Sequence, residues 1–199
     1  MTVPGVKTTS AAAAAAAALV LAASATPVGA ADASEAKAAT CFACHGVNGN
    51  STNPVMPSLA GQPAQFISTQ LIMYREGRRK DPQMSPIAAG LSNADMNALG
   101  KYFSAQKLAP LARKIDAGKA EEGRRLTEKY NCVACHGAQL RGQQHIPGLV
   151  GQQPDYVRTQ LRGFKAGTRF DMDGNMTAAA QPLSDKDIDV IVEYLAAAK

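Results

Sequence analysis

The segments CFACHG (residues 41–46) and CVACHG (132–137) each hold two thiols three residues apart, with an imidazole directly after the second. Three chemistries use such a set: a redox disulfide, a zinc site and covalent attachment of a haem. A Cys-x-x-Cys disulfide closes a very small loop, and a thioredoxin-like version enters the motif from a strand. The residues before both copies are instead helix formers. Zinc needs two cysteine pairs to converge, and these pairs lie in separate halves of the chain. The haem reading uses every residue. Cys41 and Cys44, like Cys132 and Cys135, sit one helical turn apart and reach the two vinyl groups of one porphyrin as thioethers. His45 and His136 then swing under the ring as proximal imidazoles. A histidine after both pairs by chance has a probability of about one in a thousand at average residue frequencies. The expectation is two covalently bound haem c groups.

The sixth iron ligand decides between carrying electrons and activating small molecules, and the chain offers seven methionines. A repeat makes the choice. PSLAGQ (57–62) matches PGLVGQ (147–152), FISTQL (66–71) matches YVRTQL (156–161), and YREGRRKD (74–81) matches FKAGTRFD (164–171). MSPIAAGLSNADMNALGKYFSA (84–105) then matches MTAAAQPLSDKDIDVIVEYLAA (176–197), so the chain is a tandem duplication. In that register one methionine pair falls in a loop, Met84 in DPQMSPIA and Met176 in DGNMTAAA. These two follow His45 and His136 by 39 and 40 residues, enough chain to wrap a ring and return to its far face. Met172 stands four residues from Met176 and competes with it; the register selects Met176. Met73 and Met96 read as core filler, and Met56, opposite Ile146, as packing. His145 has no counterpart in the first copy and reads as a surface or haem-edge residue. Pro57 and Pro147 follow the motif histidines by 12 and 11 residues in Pro-x-Leu-x-Gly turns. Each offers a carbonyl without an N–H, an acceptor for the second nitrogen of the axial imidazole.

The elements that must place these groups read as helices throughout, with no convincing strand. Lead-in helices over 33–44 and 117–135 run into the motifs. Middle helices over 63–76 and 153–166 stop at Gly77 and Gly167. Ser92 and Ser184 open the last helices, with Asp95 and Asp187 three residues on as capping boxes. Met96, Leu99, Tyr102 and Phe103, and likewise Ile188, Ile191, Tyr194 and Leu195, make the apolar faces. The expected organisation is an export signal over 1–30, a first domain over 31–106, a linker over 107–116 around Pro110, and a second domain over 117–199.

Only 5% of the 199 residues are aromatic and none is Trp. Domains of roughly 80 residues need a staple, and a covalently held porphyrin supplies a large apolar plug. The N-terminus reads as a secretory signal: Lys7, then an Ala-rich apolar run, then Val28 and Ala30 at the −3 and −1 positions, giving a chain that starts at Ala31. The net charge of +5 is spread evenly. Beyond residue 30 the first half has 7 basic against 5 acidic residues, the second 13 against 11. No basic arm or nucleic-acid motif supports nucleic-acid binding. The Arg75, Arg78, Arg79, Lys80 cluster reads as a solvated helix end, with a docking site as the alternative.

Together the paired CxxCH units, the Pro-x-Leu-x-Gly turns, the RKDPQM loop and the S-x-A-D-M…YF helix resemble cytochrome c4, a di-haem class I cytochrome c, over residues 33–199. The resemblance implies an all-α protein of two tandem class I cytochrome c domains, related by a pseudo-two-fold axis with haem edges near their interface. It implies cofactor attachment at Cys41, Cys44, Cys132 and Cys135, and iron ligation by His45, Met84, His136 and Met176. The second ligand loop, FDMDGNM, departs from the DP-x-M of the first. The resemblance further implies a monomeric periplasmic electron shuttle, able to associate peripherally with the membrane. Its redox protein partners would be a donor such as a quinol-oxidising complex and an acceptor such as a terminal oxidase. Haem propionates cancel much of the positive charge. Two other roles fit the same motifs: a haem subunit of a dehydrogenase or flavocytochrome, and a di-haem peroxidase-type or sulfur-oxidising enzyme. The enzyme needs an iron that opens.

Overall fold

The structure is a computed structural model and describes residues 1, 2, 5 and 30–198; the apolar run of the expected export signal lies outside the described residues. Among the described residues every regular element is a helix, joined by turns and loops, and the one β-pairing is an isolated bridge between Gln143 and Ile146. The first half runs α1 (Ala30–Ala39), α2 (Phe42–His45), a 3-10 turn (Val47–Gly49), α3 (Ala64–Arg75), α4 (Met84–Ala89) and α5 (Asn93–Ser104). The second repeats it as α6 (Ala117–Lys129), α7 (Cys132–His136), α8 (Pro154–Lys165), α9 (Asn175–Ala180) and α10 (Asp185–Ala197).

Each half closes around its own core. In the first, α5 packs on α1 and α3, and α3 on α4. Ala38, Ile67, Leu71, Met96, Leu99 and Phe103 are buried there. In the second, α10 packs on α6 and α8, and α8 on α9, around Leu126, Val157, Phe164, Leu183, Ile188, Ile191 and Leu195. Full burial of such a side chain contributes roughly 1.5–3 kcal/mol. Met73 and Met96, read as core filler, are 3% and 0% exposed.

The helix ends follow the local chemistry. Gly77 and Gly167 take φ of 68° and 66° just after α3 and α8, a left-handed stop that favours glycine. Ser92 and Ser184 cap α5 and α10 in complete capping boxes. The box aspartates also tie each last helix to its lead-in helix. Asp95 accepts a hydrogen bond from Lys37 of α1, and Asp187 accepts one from the Tyr130 hydroxyl after α6 at 2.8 Å.

Lys37, then Ser92, hold the Asp95 carboxyl down from 3.8 to about 2. A carboxylate with a depressed native pKa stabilises the fold above its unfolded pKa, and the contribution disappears as pH falls through the native value. The contribution of Asp95 is therefore lost between 3.8 and about 2. In acid titrations followed by far-UV circular dichroism, Asp95→Asn is expected to flatten the loss of stability within this window and to leave its slope at higher pH unchanged.

Two expectations about the elements are corrected. The lead-in helices do not run unbroken into the cysteine motifs. Thr40 turns its hydroxyl back to the Lys37 carbonyl at 2.8 Å, and Asn131 enters the left-handed region at φ 56°, so α2 and α7 are separate turns. Met84 and Met176 lie not in open loop but in the first turns of the six-residue helices α4 and α9, which are too short to show a helical period.

Candidate haem sites

The bend before each motif sets the pose of the cysteines. His45 N–H bonds the Cys41 carbonyl at 2.9 Å and Cys44 N–H bonds it at 3.3 Å, so the two sulfurs project from one helical turn. Cys41 and Cys132 are half-buried, Cys44 and Cys135 are exposed, and none of the four is in a disulfide.

The histidines turn inward, each 7% exposed or less. His45 Nδ1 lies 2.8 Å from the Pro57 carbonyl oxygen, and His136 Nδ1 lies 2.7 Å from that of Pro147. With the proton on Nδ1 donated to a carbonyl, Nε2 is left with its lone pair for a metal. Burial lowers the pKa of both rings, against the opposing pull of the proline carbonyls. The proline turns are themselves docked on the last helices. Gly61 N–H bonds the Phe103 carbonyl at 2.9 Å, and Gly151 N–H bonds that of Leu195 at 2.8 Å. Both glycines have φ of 69°.

Met84 packs on the core that also receives Cys41, and Met176 on the core that receives Cys132. An aspartate fixes each backbone. Met84 N–H donates to Asp81 Oδ1 and Met176 N–H to Asp171 Oδ2, both at 2.8 Å. Met172 is 53% exposed. His145 lies at the surface, its Nε2 4.0 Å from an Asp173 oxygen.

Between the halves runs a reciprocal interface. Gln62 Nε2 donates to the Gly148 carbonyl at 2.9 Å and Gln62 Oε1 accepts from Gly148 N–H at 3.0 Å. Gln152 repeats this with Ser58, at 2.8 Å and 2.7 Å. Gln62 pairs with Gln152 in the repeat, and Ser58 with Gly148, so position i meets j and j meets i, as two-fold symmetry requires. Tyr156 N–H adds a bond to the Pro54 carbonyl at 2.9 Å.

A second pair crosses the same interface. Arg79 and its repeat mate Arg169 lie over the Tyr74 and Phe164 rings, at 4.6 Å and 4.4 Å. Arg79 donates to Gln70 at 2.6 Å, and to the Tyr156 hydroxyl and Gln160 at 3.1 Å. Arg169 donates to Gln160, but its buried Nε has no partner. Burial pushes the Arg169 guanidinium down to about 10, with Tyr156 opposing and Arg79 adding to the shift. Burial alone would raise the Tyr156 phenol, yet Arg79 and Arg169 outweigh it and lower its pKa. Among the described residues neither arginine has a carboxylate within ion-pair distance. Both side chains are half-buried, and a partly covered cation without a carboxylate partner favours an anion nearby. The solvated-helix-end reading of the basic cluster therefore fails at Arg79. Arg75 is held by Glu76, Asn93 and the Leu91 carbonyl, while Arg78 and Lys80 are exposed.

These features suit a porphyrin: paired thiols, an imidazole with a free Nε2, a thioether on the same core, and an unpartnered buried guanidinium N–H for a carboxylate arm. Sequence reasoning missed Gln62, Gln152, Arg79, Arg169 and Tyr156. The glutamines and arginines recur in the repeat, and that recurrence was the available signal. A helical chain that doubles such a set defines a class: a di-haem class I cytochrome c, with two covalently bound haem c groups.

Known proteins agree. The family model described as cytochrome c matches residues 30–107 and 120–199. Cytochrome c4 of Thiocapsa roseopersicina is 36% identical over 185 residues, covering 87% of this chain and 95% of that protein. The reduced recombinant cytochrome c4 of Pseudomonas stutzeri superimposes with a TM-score of 0.77 at 33% identity, covering 85% of this chain and 98% of its own. A thiosulfate dehydrogenase electron acceptor of Thiomonas intermedia (strain K12) is 35% identical over 173 residues, covering 81% of this chain and 79% of that protein. The chain belongs to the cytochrome c4 family. It is a di-haem electron-transfer protein that works with redox protein partners.

Proposed function

We propose that the protein is an exported, periplasmic two-electron shuttle that delivers electrons to a terminal oxidase, with both irons held by histidine and methionine. The observation that carries the ligand assignment is the doubled clamp: each motif histidine is pinned through Nδ1 to a proline carbonyl, and in each half a methionine packed on the same core as the motif's first cysteine has its backbone fixed by an aspartate. When bound, each haem would supply one-electron redox chemistry at its iron. Cys41 with Cys44, and Cys132 with Cys135, anchor the rings as thioethers. His45 and His136 present Nε2 at an orientation set by Pro57 and Pro147. Met84 and Met176 offer a thioether sulfur, which favours the reduced iron and raises the potential relative to two nitrogen ligands. Asp81 and Asp171 hold the methionine backbones in place, so little rearranges when charge changes. Arg79 and Arg169, at the domain interface, would offer N–H donors to the carboxylate arms of the rings.

The expected result is two haems per chain by alkaline pyridine absorbance, each with the long-wavelength methionine-to-ferric-iron band. A band for only one haem would leave the other iron with a different sixth ligand and bring back the enzyme reading. A second role, as the haem acceptor of a dehydrogenase, is favoured by the resemblance to the Thiomonas protein named as a thiosulfate dehydrogenase electron acceptor. Purification as a flavin-free monomer that reduces a terminal oxidase supports the shuttle; co-purification with a dehydrogenase supports the alternative.

A further inference from the structure

The interface glutamines touch more than their partner's backbone. Ser58 N–H belongs to the same peptide unit as the Pro57 carbonyl, and Gly148 N–H to the same unit as the Pro147 carbonyl. The first unit therefore accepts from His45 Nδ1 at 2.8 Å on one side and donates to Gln152 Oε1 at 2.7 Å on the other. The second accepts from His136 Nδ1 at 2.7 Å and donates to Gln62 Oε1 at 3.0 Å. Each axial histidine is thus joined, through one planar peptide, to a glutamine of the opposite domain.

The surroundings make this link electrically effective. Gln62 is 4% exposed, Gln152 6% and Ser58 2%, so water does not screen the bonds. Nitrogen and oxygen of one amide share a π system. An acceptor on the N–H side therefore leaves the carbonyl richer in charge, and hydrogen bonds in series strengthen one another in a low-dielectric interior. A richer carbonyl draws harder on the Nδ1 proton and makes the ring a more basic ligand. A more basic imidazole favours the ferric iron.

We infer that Gln62 and Gln152 are crossed positioning residues: each lowers the reduction potential of the haem held by the other domain, through the peptide that clamps that haem's histidine. This rests on the histidine–methionine reading above. The two arms are unequal. The bond to Ser58 is the shorter, but Gln152 Oε1 also takes Gln153 N–H at 2.9 Å, whereas the residue after Gln62 is Pro63, which has no N–H to compete.

The test uses the full holoprotein with Gln152→Met and Gln62→Met, which keep length and lose the oxygen. Each haem's potential is followed through its own methionine methyl signal in paramagnetic NMR. Gln152→Met is expected to raise the potential of the first-domain haem and leave the second in place, and Gln62→Met the reverse. The expected size is about a threefold fall in ferric:ferrous ratio at fixed potential, about 30 mV at 59 mV per tenfold. The axial histidine ring signals of that same haem move with it. Gln152→Glu keeps an oxygen opposite Ser58 N–H and is expected to return the first-domain potential to the parent value or below. Equal shifts of both haems, a shift confined to the mutated domain, or no shift overturn the inference. Fewer than two haems, or a missing methionine signal in the parent, overturns the ligand reading instead.

Discussion

Met176→Ala is expected to remove the methionine-to-ferric-iron band from one haem of the two and leave the other intact. The residue packs on the same core as Cys132, and its N–H is held by Asp171 at 2.8 Å, so no backbone change replaces the lost sulfur. Axial-ligand identity moves haem potentials over roughly 0.8 V. The affected iron, left with histidine and solvent, is therefore expected to fall in potential by a large part of that span, and to bind added imidazole. Met172→Ala is the control: that side chain is 53% exposed, and the variant is expected to keep both bands and both potentials. Near-infrared magnetic circular dichroism with a redox titration checks all of this. Both bands surviving in Met176→Ala and one vanishing in Met172→Ala would transfer the role to Met172.

The largest effect on stability is expected at a glycine. Gly123 sits within α6 among alanines, glutamates and arginines, where glycine costs about 1 kcal/mol against alanine. Gly123→Ala ought to stabilise on helix propensity alone. The packing reverses the sign. A Cβ at Gly123 would stand 2.2 Å from Tyr194 Cβ and 2.8 Å from its Cγ, on the face where α6 crosses α10. These are not the far end of a flexible chain, so the helices must part. Overpacking of this kind costs about 1–3 kcal/mol. The melting temperature of the second domain is expected to drop by about 4–8 °C per kcal/mol, the scale for a domain of this size. Thermal melts of Gly123→Ala beside Lys119→Ala, an exposed position of the same helix, measure it; a rise in the Gly123→Ala melting temperature contradicts the close crossing.

The first domain makes its tight contact elsewhere. Gly100 of α5 would place a Cβ 2.5 Å from the Ala64 carbonyl oxygen of α3, and its repeat mate in α10 is Val192. The duplication thus preserved which helices meet, but not which pair comes closest. Nothing in the register of the repeat announces that difference. It depends on how side chains of two distant segments fill one gap.

Local chemistry was the legible part. The serine–aspartate boxes of α5 and α10 and the glycine stops after α3 and α8 involve partners within a few residues, so propensity and capping settle them. The break at Asn131 was less legible, because a left-handed asparagine looks like any other polar residue at a helix end. The short helices α4 and α9 offer too few residues for a period. Arg79 was misplaced on the surface, because a charge cluster reads as solvated until a partner domain covers part of it.

The sequence by itself determined the cofactor and the repeat. Cysteine, cysteine and histidine act within a single turn, and the same spacing occurs twice. The register of the copies singled out Met84 and Met176 and pointed to the proline carbonyls. Only the tertiary structure joined Gln152 to Ser58 and Gln62 to Gly148, across separations of 94 and 86 residues. It also brought Arg79 and Arg169 together. Those contacts belong to the docking of one domain on the other. A surface residue has no local geometry that reveals what will be laid against it.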